Sequence, residues 1–199
     1  MLFMRLFISV LVLIFNLQSW TKADDISDFE IEGMSIGDSA LDYFSKEEIN
    51  NLKKYNFAKK FSAYNVYKHS SFKVYDSIMF AFKKNDKTYK MHEVSGVIFY
   101  KGKDIKECFK KVDEIENEIS ELFTNATKNS YTTKHKADKS GKSISKSVDF
   151  IFTTGESVRI FCVDWSKKME QEKNYWDELR VSINSKEFHD YVSSKTYLD

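Results

Sequence analysis

The chain has 199 residues, with 31 Lys and Arg against 30 Asp and Glu, and it contains no proline. A formal net charge of +1 supplies no global field that would draw nucleic acid or an anionic membrane. The absence of proline excludes a rigid polyproline linker.

The first five residues, Met1-Leu2-Phe3-Met4-Arg5, lead into an apolar run from Leu6 to Phe15 broken by Ser9, and then into Thr21-Lys22-Ala23. A basic start, an apolar middle and a small-residue exit are the three parts of a secretory signal peptide. The run is about ten residues, against roughly 20 needed for a permanent membrane-spanning helix. Residues 1–23 are therefore read as a signal peptide, and the alternative is an uncleaved anchor. Cleavage would leave 199 − 23 = 176 residues, a length that makes one domain and buries roughly 70% of its unfolded surface. Loss of Arg5 and Lys22 brings the basic count to 31 − 2 = 29, a net charge of −1. The expected location is periplasmic or secreted. Both cysteines, Cys108 and Cys162, fall in the mature part, where an oxidising compartment permits one disulfide between them. The alternative is two free buried thiols.

In chain order, residues 29–36 alternate apolar and polar and enter a turn with Gly33 and Gly37. Asp38 or Ser39 then suits a helix N-cap, and Ser45 with Glu48 has capping-box spacing. The apolar face of Ile49 and Leu52 extends this second helix toward Tyr55. From 63 to 100 the period becomes two, through Tyr64, Val66, Phe72, Val74, Ile78, Phe80, Phe82, Met91, Val94 and Val97, which predicts strands. Lys83-Lys84-Asn85-Asp86-Lys87 is the turn of an antiparallel pair.

Asp104 and Glu107 open the clearest helix. Its apolar residues Ile105, Cys108, Val112, Ile115, Ile119 and Leu122 recur at steps of three and four, so one stripe faces a sheet. Residues 126–147 then run polar and lysine-rich and are read as a mobile loop of the single domain formed by residues 24–199, with a solvated hairpin as the alternative. Thr153-Thr154-Gly155-Glu156 joins two further strands, 165–174 suits a helical turn, 179–183 a strand, and 185–192 a closing helix. The fold class is α+β: an antiparallel sheet built from two strand-strand-helix units, with short N-terminal helices and a long amphipathic helix packed on the sheet.

Motifs with chemical meaning are few. Gly37-Asp38-Ser39 matches the opening of a serine hydrolase motif, but Ala40 follows and the chain has no Asp-x-x-His to supply a base. Ser140-Gly141-Lys142-Ser143 matches the end of a phosphate-binding loop, but Lys136 stands where the first glycine belongs and the flanks are polar. His69, His92, His135 and His189 have no metal-ligand spacing, so no cofactor is expected. The candidate binding surface is the lysine group Lys134, Lys136, Lys139 and Lys142, together with Trp165, Tyr175 and Trp176, rings set in a charged stretch.

The string from Asp28 through Gly33-Met34-Ser35-Ile36-Gly37-Asp38-Ser39 to Phe44 resembles the mature N-terminus of uncharacterised exported proteins of small-genome marine alphaproteobacteria. The later hairpin and the cysteine-bearing helix are similar too, and the resemblance implies location rather than activity. The same glycine turn and helix more distantly resemble BamE-type periplasmic assembly proteins, whose following Leu-Gly-x-Pro is missing here.

The functional expectation is a non-enzymatic binding or envelope-associated module that meets an envelope protein or an anionic envelope component. The alternative is an enzyme with a dispersed site acting on an envelope polymer. Processing is directly testable: mass spectrometry of the protein from its host should find Asp24 as the first residue, and an intact Met1 would overturn the cleavage.

Overall fold

A computed structural model describes residues 26, 29–57, 60–102 and 104–194. The expected signal peptide, residues 1–23, lies outside the described residues.

The fold is α+β, one eight-stranded antiparallel sheet with helices packed on it. Four strands come in succession: β1 (Lys54–Phe57), β2 (Phe61–Tyr67), β3 (Ser77–Lys83) and β4 (Met91–Phe99). The long helix α2 (Ile105–Leu122) follows the short α1 (Lys46–Asn51) and these strands. A second set then repeats the plan, with β5 (Thr127–Lys134), β6 (Ile144–Ile151), β7 (Ser157–Asp164), α3 (Lys167–Lys173), β8 (Glu178–Asn184) and α4 (Lys186–Ser193). The order across the sheet is β1-β2-β3-β4-β8-β7-β6-β5, so two meanders meet at the central β4–β8 ladder. The two strand-strand-helix units expected from sequence thus sit inside two larger units of four strands and a helix.

Side chains alternate between the two sheet faces. One face carries Ile78, Phe80, Phe82, Val94, Val148, Phe150, Val158, Ile160, Cys162, Leu179, Val181 and Ile183, all in one buried cluster. The N-terminal segment covers the first half of this face. Ile31, Met34, Ala40, Phe44 and Ile49 are buried there, with Phe44 stacked on Phe80 at 5.5 Å. Local chemistry sets this segment. Ser39 caps a single 3-10 turn, Ala40–Asp42, by accepting from the Leu41 amide, and Ser45 and Glu48 form the reciprocal capping box of α1.

Helix α2 covers the second half of the same face, against β6, β7 and β8. Its stripe buries Cys108, Val112, Ile115 and Ile119, each worth roughly 1.5–3 kcal/mol when an aliphatic side chain leaves water. Asp104 caps it by accepting from the Lys106 amide, a one-sided cap rather than a reciprocal pair with Glu107. Cys108 and Cys162 are joined by a disulfide across the helix–sheet interface, Cα to Cα 6.0 Å.

Three segments depart from the sequence reading. The helix expected to run toward Tyr55 stops at Asn51, because Leu52 is extended and Tyr55 pairs with Ala63 as part of β1. Phe72 and Val74 belong to a loop rather than a strand: the Glu32 carboxylate reaches in from the N-terminal segment and takes the amides of Lys73 (3.0 Å), Val74 (2.7 Å) and Tyr75 (3.1 Å) that a strand neighbour would use. The segment 126–147, expected as a mobile loop, folds instead as the alternative hairpin, with β5 paired with β6 over eight residues without a register shift. Every residue of β5 is exposed, so nothing apolar marked it as a strand.

Closing a loop of 54 residues restricts the unfolded chain by roughly 4 kcal/mol at most. The Cys108→Ala/Cys162→Ala double variant should lose a large part of that in urea denaturation. Thiol titration of the oxidised, denatured parent should find no reactive cysteine, and two equivalents would show that the bridge does not form.

Candidate functional site

The tip of the β5–β6 hairpin is built around one carboxylate. Asp138 is 5% exposed, and it accepts from the Ser140 amide (2.9 Å), the Ser143 amide (3.1 Å) and hydroxyl (2.7 Å), and the Ser166 hydroxyl (2.8 Å). Ser166 is the N-cap of α3, and its amide donates to the Ser143 hydroxyl at 3.0 Å, so tip and helix are tied together. These bonds, led by that from Ser143, hold the Asp138 carboxyl well below the usual range. The same bonds dispose of the phosphate-loop motif: the amides of Ser140 and Ser143 are already given to Asp138.

Lys134, Lys136, Lys139 and Lys142 all stand exposed on this tip, and none has an ion-pair partner among the described residues. Their neighbours differ. Lys128 is bound to Glu116 at 3.0 Å, and Lys146 to Asp113 at 2.5 Å, both on α2.

Beside the tip the aromatic residues gather, in two groups rather than one. His135, Trp165 and Tyr175 form the first, with ring centroids 4.3 Å and 4.6 Å apart in turn. Burial lowers the His135 pKa, and its Nδ1 accepts from the Ala137 amide at 3.2 Å. Trp176 belongs to the second, edge-on to Phe99 at 5.0 Å, with Phe99 stacked on Tyr67 at 6.2 Å and the Lys101 ammonium 4.6 Å from the indole. Consecutive residues Tyr175 and Trp176 join the groups along one end of the sheet. Tyr67, Tyr175 and Trp176 are 49%, 39% and 40% exposed. Sequence reasoning missed Tyr67 and Phe99, which read as ordinary strand residues. They lie at the ends of β2 and β4, at the same end of the sheet where β8 begins, and there Tyr67 is exposed and Phe99 half-buried.

The second sheet face is the other place where polar groups converge. Helix α4 covers one corner of it, with Phe188 on Phe61 at 5.1 Å, and Glu187 binds Lys60 and Lys83, each at 2.6 Å. Elsewhere the floor is polar. Ser95 donates to Glu93 and shares a 2.7 Å contact with the Ser182 hydroxyl. Arg180 binds Glu178 at 2.6 Å and lies 5.3 Å from the Phe161 ring, and Arg159 makes two bonds to Asp149. Glu93 is wholly buried, and its Oε2 has no hydrogen-bond partner among the described residues. Burial pushes its carboxyl up to about 7, against the opposing pull of Ser95 and Arg180.

This floor does not assemble a nucleophile. Ser157 contacts His189 Nδ1 at 2.9 Å, but Ser157 is 2% exposed, Asn184 donates to it, and among the described residues no acid is hydrogen-bonded to the ring to orient it. Ser39, in the hydrolase-like motif, donates to the Thr88 carbonyl and caps the 3-10 turn. Among the described residues no group of three or more His, Cys, Asp or Glu side chains could hold a metal ion. No helix among them is long and apolar enough to cross a membrane. Comparisons with known protein families, curated proteins and solved structures found no match to this chain.

Glu93 makes stability depend on pH in a defined direction. Its folded pKa of about 7 stands above the ordinary 4.5, so between these values the folded state holds a proton the unfolded state lacks. Stability from this group is complete below about 4.5 and falls as pH rises through 7, by on the order of 3 kcal/mol. Glu93→Gln should therefore match the parent near pH 4.5 and exceed its urea midpoint at pH 8. Equal midpoints at both pH values would show that Glu93 titrates normally.

Proposed function

We propose that this protein is a non-enzymatic binding module of the periplasm or the secreted space, docking an envelope protein or an anionic envelope component through the lysine- and aromatic-bearing end of its sheet. One observation carries the reading. Lys134, Lys136, Lys139 and Lys142 are unpaired on a tip that Asp138 folds in advance, beside exposed Tyr175 and Trp176. Aromatic rings bury a large area at little entropy cost and are enriched at protein interfaces, while the lysines supply a local positive field that favours an anionic partner. Preorganisation adds to this, since a folded tip loses less freedom on binding than a loop would. Burial of Ser157, 2% exposed beside His189, weighs against the enzymatic alternative at that pair.

Photo-crosslinking in the host tests the reading. A crosslinker at position 139 should capture a discrete partner, one at position 54 on the far edge should not, and replacing Lys134, Lys136 and Lys142 by Glu should abolish capture. Asp138→Ala should weaken capture several-fold by loosening the tip while leaving the lysines in place. Equal adducts from positions 139 and 54 would overturn the reading.

A further inference from the structure

Strand β5 is one edge of the sheet, and it differs from the other edge. β1 has four residues, whereas β5 has eight, pairs with β6 without a bulge and contains no proline. Edge strands are ordinarily blunted by shortness, bulges, proline, a covering element or lysine, because their unpaired backbone groups template another strand. Of these devices β5 has lysine alone, and Lys128 is turned to Glu116 on α2.

The pattern of unpaired groups follows from one bond. The His135 amide donates to the Ser143 carbonyl at 2.8 Å, which makes that a hydrogen-bonded pair in register with Lys134↔Ile144. Antiparallel ladders alternate, so Thr133, Tyr131, Asn129 and Thr127 spend their backbone groups on β6. The N–H and C=O groups of Lys128, Ser130, Thr132 and Lys134 point away from the sheet, along an edge where no ninth strand lies among the described residues.

We propose that β5 receives an extended acidic segment of a partner protein as a ninth strand, its acidic end beside Lys134 and the tip lysines. The proposal rests on the docking reading above and names its mode. Charge selects the occupant. Lys134, Lys136, Lys139 and Lys142 lie at one end of this edge with no ion-pair partner among the described residues, and an anionic strand brings the opposite charge. A second copy fits worse: symmetric antiparallel pairing of β5 with itself centred on Tyr131 sets Lys128 opposite Lys134 twice, and like charges directly opposite destabilise a sheet. Backbone bonds would give affinity, and the lysines the preference for acid.

The test uses the purified oxidised protein and a synthetic capped octapeptide of alternating Val and Glu, with an alternating Val and Lys peptide as control. Binding of the acidic peptide should slow hydrogen exchange at the amides of Lys128, Ser130, Thr132 and Lys134 by tenfold or more, with Asn129 and Tyr131 already protected. Thr132→Pro removes an outward N–H without touching a bond to β6, and should weaken binding at least tenfold at unchanged circular dichroism. If the acidic peptide binds but leaves those amides unprotected and ignores Thr132→Pro, strand addition is overturned while the docking reading stands. If neither peptide binds and crosslinking at position 139 also fails, both fall. A dimer in sedimentation that Thr132→Pro dissociates would overturn the acidic strand in favour of a second copy.

Discussion

Pairing of β4 with β8 is the constraint on which the rest of the molecule depends. It joins two meanders that are otherwise separate in sequence, and its register, Glu93↔Asn184 through Phe99↔Glu178, fixes which residues of every other strand face which way. A slip by one residue would exchange the faces completely. In the observed register Val94, Val181 and Ile183 meet the N-terminal cover and α2, while Glu93, Ser95, Arg180 and Ser182 form the opposite floor. The sheet is thus strongly one-sided. Its apolar face lies under the N-terminal segment and α2, whereas among the described helices it is α4 that packs on its polar face, at one corner.

That asymmetry explains which parts of the fold were legible in the sequence. Helix α2 and strands β3, β4, β7 and β8 each carry an apolar period, because each has a face against the core, and their positions follow directly from it. β5 has no such face, and Thr127–Lys134 reads as polar loop for the same reason that it is fully exposed. The 68–76 loop fails differently. Phe72 and Val74 have strand-like spacing, yet their conformation is decided by Glu32, some 40 residues earlier, and no local pattern shows a contact of that range.

The candidate site was legible in its parts and not in its arrangement. The lysines and rings could be named from composition, but their grouping depends on topology. Tyr175 and Trp176 are neighbours in sequence whose rings join different clusters, and Tyr67 and Phe99 enter because β2 and β4 end at the same end of the sheet where β8 begins. Net charge misled in the same way. Basic and acidic residues nearly cancel over the whole chain, yet Lys60, Lys83, Lys128 and Lys146 are each matched with an acid while, among the described residues, the four tip lysines are not. Asp138, the acid nearest the tip lysines in sequence, is turned inward, where it accepts from serines instead.

The position of the disulfide connects the covered face to the exposed edge. Cys162 lies on β7, and β6 and β5 follow it outward, so the crosslink anchors α2 over the part of the sheet from which the hairpin projects. Glu116 on α2 then reaches β5 itself, through Lys128 and the Ser130 hydroxyl at 3.0 Å. An edge strand without a core of its own is thereby held from behind by a helix that a covalent bond keeps in place. Held this way, β5 keeps its row of outward backbone groups in line, and an arriving strand has little left to order on this side of the contact.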